Sequence, residues 1–325
     1  MKLLTKFASL TVVALGLVTS ASVSAQEYPS KAINFIVAYA AGGNADIRAR
    51  QLGLELSKIL GKPVIVDNKP GAGGNIGTEY IARAAPDGYT IGIGSFAPLA
   101  VNHALFKKLN YDAAKDLTPI ILLEKGPLVL MVNPKSPHKT VKDIVDAAKA
   151  KPGVLTIANG GIGGSHHLSA ELFKQAAGID MISVPYKGGA PGATDLQAGN
   201  VDMMFEQMYA AAPSIQANKL RPIATTSAKR LTGAPTVPTF AEAGYPTVEV
   251  QNFQGVIAPK GTPKAIVDKL NAAINQALAV PEFRSKITNQ DNEPVGGTPE
   301  AFAAYVKVEA EKWGKVVRAA KIQPE

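Results

Sequence analysis

The sequence predicts an α/β fold of mainly parallel sheets covered by helices. Three observations predict it. A unit recurs along the chain: a short run rich in Val and Ile, a Gly-rich loop, then an amphipathic helix. The short runs are apolar at successive positions, as strands buried on both faces are. Strand-like and helix-like segments also alternate, which is the pattern of crossover units. A length of 325 residues, 46% hydrophobic and 18% charged, suits one large or two ordinary domains.

Each element follows from its residues. Ile33 to Ala38 lead into Ala40-Ala41-Gly42-Gly43-Asn44 and a helix with Leu52, Leu56, Ile59 and Leu60 on one face, stopped by Gly61. Val64 to Val66 lead into Gly71-Ala72-Gly73-Gly74-Asn75 and a helix ending near Pro86. The apolar run Ile120 to Leu123 and the break at Gly126-Pro127 predict a passage between two lobes, with the return around Gln251 to Gly255. Thr156 to Ala158 lead into Asn159-Gly160-Gly161-Ile162-Gly163-Gly164-Ser165 and a helix through Leu168, Leu172 and Phe173, stopped by Gly178. Ile182 to Val184 lead into Lys187-Gly188-Gly189-Ala190-Pro191 and a short helix to Gly199. Two long helices close the chain, one with Ile266, Leu270, Ile274 and Leu278, the other with Phe302, Val306, Glu309, Trp313 and Val317 on one side. That periodicity assigns Trp313 to the core. The expected division is residues 26–125 and 252–325 as lobe one and residues 126–251 as lobe two.

A leader precedes them. Lys2 and Lys6 give a positive start, Phe7 to Val18 an apolar stretch, and Val23-Ser24-Ala25 small residues before Gln26. This is the layout of a signal peptide over residues 1–25, too short to span a bilayer, and it implies export to the periplasm. Losing the two lysines lowers the formal charge of +8 by two. The absence of cysteine excludes disulfides, thiolate catalysis, Cys-ligated zinc, iron–sulfur clusters and a lipid-anchored leader. Scattered lysines without a basic run argue against nucleic acid.

In open α/β sheets the guest sits beyond the carboxyl ends of the strands, where loops meet helix starts. Any one glycine loop reads as a tight turn. Four in equivalent positions, two per lobe, favour a shared anion site, because loops without Cβ atoms let backbone N–H groups and helix dipoles approach a negative group. A nucleotide does not fit. Gly71 to Gly77 misses the G-x-G-x-x-G register, and Gly61-Lys62 is followed by Pro63. Enzymatic constellations are missing too: Gly92-Ile93-Gly94-Ser95 is not a nucleophile elbow. His103, His138, His166 and His167 offer no metal pair, since adjacent helical residues point about 100° apart. No cofactor and no metal are expected. Ser95 and Gln207 stand at strand ends as candidate contacts, Gln207 being preferred to Glu206 because an unpaired carboxylate would repel an anion. His166 reads either as a donor to the guest or as a solvated or capping histidine. Asp46 reads first as a helix-start carboxylate and second as a ligand contact. Lys187 is an obvious counter-ion, though a loop lysine is usually solvated.

With these residues in view, the chain resembles the Bug family of periplasmic solute-binding receptors, which serve tripartite tricarboxylate transporters. The resemblance rests on Tyr28-Pro29-Ser30-Lys31, Tyr39-Ala40-Ala41-Gly42-Gly43-Asn44-Ala45-Asp46, Pro70 to Gly77, Ala85-Pro86-Asp87-Gly88-Tyr89-Thr90, Gly163 to Leu168, Val184 to Gly188 and Pro238 to Gly244, in order over the mature chain. It implies a two-lobed periplasmic-binding-protein fold with two crossovers, gripping a carboxylate by backbone amides and water. Carried over by position, the guest loops would be Tyr39, Ala41, Gly42, Gly43 and Asn44 in lobe one, and Gly163, Gly164, Ser165 and His166 with Gly188, Gly189 and Ala190 in lobe two. Tyr39, Tyr186 and Phe253 would wall the apolar part. The chain departs from the commoner family pattern at Ala40-Ala41, Asn44-Ala45 and Asn252-Phe253, which bears on the identity of the guest. The implied partners are a small carboxylate and the membrane permease subunits, with a monomer as the default. A sensory receptor using the same binding physics, and an exported α/β enzyme, are the alternative readings.

Overall fold

The computed structural model describes residues 28–186 and 188–323; the leader expected over residues 1–25 and the Lys187 counter-ion lie outside the described residues. Strand β1 (Ile33–Val37) opens the chain, followed by α1 (Asn44–Leu60), β2 (Val64–Asn68), α2 (Asn75–Ala82) and β3 (Thr90–Ser95). After a turn of π-helix over Ala97–Val101 and the short α3 (Asn102–Leu105) comes the long β4 (Leu117–Val132). The chain then forms α4 (Val141–Ala150), β5 (Thr156–Asn159), α5 (Ser165–Ala177), β6 (Ile182–Pro185), α6 (Gly189–Ala198), β7 (Met203–Gln207), α7 (Met208–Gln216) and β8 (Arg221–Thr225). It finishes with β9 (Gln251–Pro259), α8 (Lys264–Ala279), α9 (Pro281–Thr288), β10 (Glu293–Gly296) and α10 (Pro299–Ala319).

The helices stop where the sequence says they should. Gly61 and Gly178 both take the left-handed conformation, φ 66° and 61°, and return their N–H groups to the last turns of α1 and α5. The strands carrying the glycine loops pair in parallel, β1 with β2 and β3, and β5 with β6 and β7. The joining strands do not. β9 runs antiparallel to β3 and β4, and β4 antiparallel to β7, β8 and β10, so the sheet is mixed at its centre. The Gly126-Pro127 break expected between lobes is no interruption: β4 runs straight through it. Its first part pairs with β9 and β10, and its last residues, Leu128 to Val132, with β7 and β8. Proline is tolerated there because its ring blocks only one ladder donor, next to the point where the pairing partner changes.

Three apolar clusters cover the sheet. One packs α1, α8 and α9 on β1, β3, β4 and β9; another packs α6 and α7 on the far strands. The third runs through both halves, joining Phe96, Trp313 and Val317 to Leu168, Phe173 and Phe205. Trp313 is fully buried, donates its indole N–H to Glu309 at 2.7 Å and meets Phe96 edge-on at 5.1 Å. Beneath the joining strands lies a buried ion pair, Arg48 Nη2 to Glu124 Oε2 at 2.9 Å and Nε to Oε1 at 3.0 Å, with Gln51 and Gln290 accepting from Arg48 and Asn292 donating to Glu124. It ties α1 to the middle of β4.

Candidate functional site

A cavity of about 390 Å3 opens at the carboxyl ends of β1, β2, β3, β5 and β7 and the amino end of β9, where an open α/β sheet places its guest. Two helix starts face into it. α1 begins after Gly43 and α5 after Gly164; both glycines are extended, and neither start receives a side-chain cap. The first-turn amides of both helices therefore lack an intrahelical acceptor and a side-chain one. Two helices remote from the cavity begin instead on a capping threonine. Thr140 and Asp143 form a reciprocal capping box on α4, and Thr298 caps α10. The wall of the cavity holds no Lys, Arg, Asp or Glu among the described residues. Positive potential at the site comes from backbone.

Of the residues expected to contact a guest, Tyr39, Gly43, Asn44 and Ser95 line the cavity from the first half, and Gly164, Ser165, His166 and Gln207 from the second. Tyr39 and Ser95 bond to each other through their hydroxyls at 2.9 Å, either of which can be the donor, and burial raises the Tyr39 pKa despite that bond, so the phenol stays neutral. Gln207 accepts from Asn252 Nδ2 at 3.0 Å, fastening the end of β7 to the start of β9 at the cavity floor.

Six expected residues do not line it. Ala41 is exposed, and Gly42 gives its N–H to Asp46 Oδ2 at 2.9 Å, so this part of the loop folds back on α1. Asp46 thus serves the helix start, held by Arg50, and does not line the cavity. Gly163 is packed against Leu105 and donates to His167 Nδ1 at 3.2 Å. Gly188 donates to the carbonyls of Gly160 and Tyr186. Gly189 is backed by Glu206, where an added Cβ would overlap Oε2, and Ala190 is exposed. The aromatic wall also differs from expectation. Tyr186 donates to Asp195 at 2.7 Å, and Phe253 is buried among Phe96, Phe302 and Tyr305.

Glu206 is not unpaired. It is 6% exposed, bonds His166 Nε2 through Oε1 at 2.8 Å, and accepts the Gln207 N–H at 2.8 Å. Burial works to raise its pKa, but the charge and hydrogen bond of His166 and the Gln207 amide outweigh it and hold the carboxyl below its usual value. The same bond engages His166 Nε2 with a partner that neither sequence reading of this histidine, donor to the guest or solvated or capping residue, named. Residues that sequence reasoning did not single out complete the wall: Asn102, Phe106, Ile162, Tyr209 and Gln254. Burial and the neighbouring Glu206 charge raise the Tyr209 pKa, keeping it a neutral donor. Gln254 comes from the antiparallel strand that periodicity could not orient. Among the described residues no group of three or more His, Cys, Asp or Glu is placed to hold a metal ion, and no helix is long and apolar enough to cross a membrane.

A family model for the receptor of tripartite tricarboxylate transporters matches residues 48–322. Protein BugT of Bordetella pertussis is 39% identical over 300 residues, covering 92% of each chain. Among solved structures, a protein of R. palustris with adipate superimposes with a TM-score of 0.83 at 35% identity, covering 92% of this chain and all of the other. MatC from Rhodopseudomonas palustris, with bound malate, gives 0.79 at 33% identity, covering 89% of this chain and all of the other. The architecture is the two-lobed fold of periplasmic binding proteins. An α/β sheet whose glycine-capped helix starts meet in a cavity free of charged side chains among the described residues, matched over most of its length by these receptors, makes this chain a member of the tripartite tricarboxylate transporter receptor family.

Proposed function

We propose that this chain is a periplasmic receptor without enzymatic activity, which captures a small carboxylic acid between its lobes and delivers it to the membrane subunits of a tripartite tricarboxylate transporter. The observation that carries the proposal is the pair of uncapped helix starts, α1 and α5, opening into one cavity with no charged side chain on its described wall. A carboxylate placed there would accept backbone N–H groups from both halves, and the two helix dipoles would favour its charge. The adipate and malate held by the two related structures support a carboxylate as the guest class. Phe96, Phe106 and Ile162 supply the apolar surface that its carbon chain requires. The lobes would be residues 26–125 with 252–325, and 126–251, closing by hinge motion at the strands that join them.

Isothermal titration of the mature protein with mono-, di- and tricarboxylates and aromatic acids tests this reading. The expected result is saturable heat with one class of acid at micromolar affinity, about −8 kcal/mol. Absence of heat and of thermal shift with every acid tested refutes it.

A further inference from the structure

Four helices begin after a glycine without a side-chain cap at this end of the sheet: α1, α2, α5 and α6. The start of α2, after Gly74, is closed by the turn before it, whose Ala72 carbonyl accepts the Asn75 N–H. The remaining one, α6, starts after Gly188. Its start is not open. The Glu206 carboxylate lies against it, with Oε2 where a Cβ on Gly189 would fall. The other oxygen, Oε1, is fixed by His166 Nε2 and by the Gln207 N–H, both at 2.8 Å. Glycine at positions 160 and 189 makes this packing possible: a Cβ on Gly160 would sit 2.5 Å from His166 Nδ1. A buried carboxylate of the protein thus lies against the start of α6, whereas no side chain caps α1 or α5. His166 and Gln207 line the cavity and carry this arrangement to its wall, while the neighbouring floor is made of the neutral amides of Gln207, Asn252 and Gln254.

Taking the receptor reading as its basis, we propose that Glu206 is a built-in anion that fills the place at α6 and restricts the cavity to guests with one carboxylate and an uncharged, hydrogen-bonding far end. The one carboxylate goes to the α1 and α5 amides. A second would have to displace Glu206 from α6 or lie on a floor without a cationic group among the described residues, beside a buried carboxylate. An amide or hydroxyl at the far end can instead bond to the Gln207, Asn252 and Gln254 side chains. Glu206 acts here as a specificity-determining group through exclusion, not through contact with the favoured guest.

Matched pairs of acids test the proposal: adipate against its monoamide and succinate against succinamate, each titrated calorimetrically into the wild-type mature protein and into Glu206→Gln. The wild type is expected to bind the monoamide at least about tenfold tighter than the diacid of the same length, about 1.4 kcal/mol. Glu206→Gln should narrow that ratio to about threefold or less, mainly by gain of diacid affinity. A wild-type protein that binds the diacid as tightly as the monoamide overturns the proposal, as does a folded glutamine variant with an unchanged ratio. Should Glu206→Gln fail to fold, the wild-type pair still decides, and Glu206→Asp, which draws the carboxylate back from α6, supplies the second variant with the same expected narrowing. Silence of the wild type toward these and all other acids overturns instead the receptor reading on which the proposal rests.

Discussion

Asp46 shows how one side chain can be legible in type and ambiguous in role. A carboxylate in a first helical turn suits either the helix or a guest. The structure gives it to the helix, through the Gly42 N–H at 2.9 Å and the Arg50 guanidinium at 2.9 Å. The Arg50 hydrogen bond, opposed by partial burial and aided by Gly42, holds its pKa below the ordinary aspartate value. A carboxyl whose pKa is lower folded than unfolded stabilises the fold above the unfolded value and loses that contribution as pH falls through the folded one. Asp46→Asn should therefore cost about 1 kcal/mol at pH 7, read by urea denaturation. The difference should shrink at pH 3 and below, and guest affinity should stay unchanged. A cost that persists undiminished in acid would contradict the assignment. Glu206 is the opposite case. The preference for Gln207 rested on the repulsion an unpaired Glu206 would exert, and the partner that removes its isolation, His166, lies forty residues earlier at the start of α5. No spacing rule reaches that far.

Helix starts carry the site, and their sequence signal is what they lack. Gly43 at the head of α1 has φ −78° and ψ 169°, which any residue can adopt, and the nearest atom to an added Cβ is the Ala40 carbonyl oxygen at 3.5 Å. Stereochemistry does not demand glycine here; an open helix start does. Gly43→Asp should cap α1 with its own carboxylate, leaving the melting temperature equal or higher while weakening guest binding at least about tenfold. Calorimetry and thermal denaturation of the same variant check both halves of that expectation, and undiminished affinity would show that the α1 amides do not hold the guest. At this scale the glycine stops of α1 and α5 and the Val- and Ile-rich strands were readable, because each depends on its own few residues. The helix α4 was readable too, from the capping pattern Thr140-x-x-Asp143 and the apolar face of Val141, Ile144 and Val145, yet it is absent from the expected elements. The direction of β9 was not, since strand pairing is settled by contacts remote in sequence, and with it Gln254 escaped notice at the cavity floor.

At the scale of the molecule, the two halves are joined by more than their connecting strands. α10 lies along β4 and the segment at Phe96 and reaches α5, where Gln175 Nε2 donates to the Val316 carbonyl at 3.5 Å. A shared apolar cluster on that side predicts a single cooperative unfolding transition, with far-ultraviolet dichroism and the fluorescence of Trp313, the sole tryptophan, changing together. A guest at a hundred times its dissociation constant should raise stability by about 2.7 kcal/mol and shift both signals equally. Two separated transitions would show that the halves unfold independently. Strand β4 has a consequence of its own. Since one uninterrupted strand serves both parts of the sheet, excising residues 126–251 would cut β4 between its pairing with β9 and β10 and its pairing with β7 and β8, so hybrids between relatives are best built by exchanging cavity loops on an intact frame, not by swapping whole lobes.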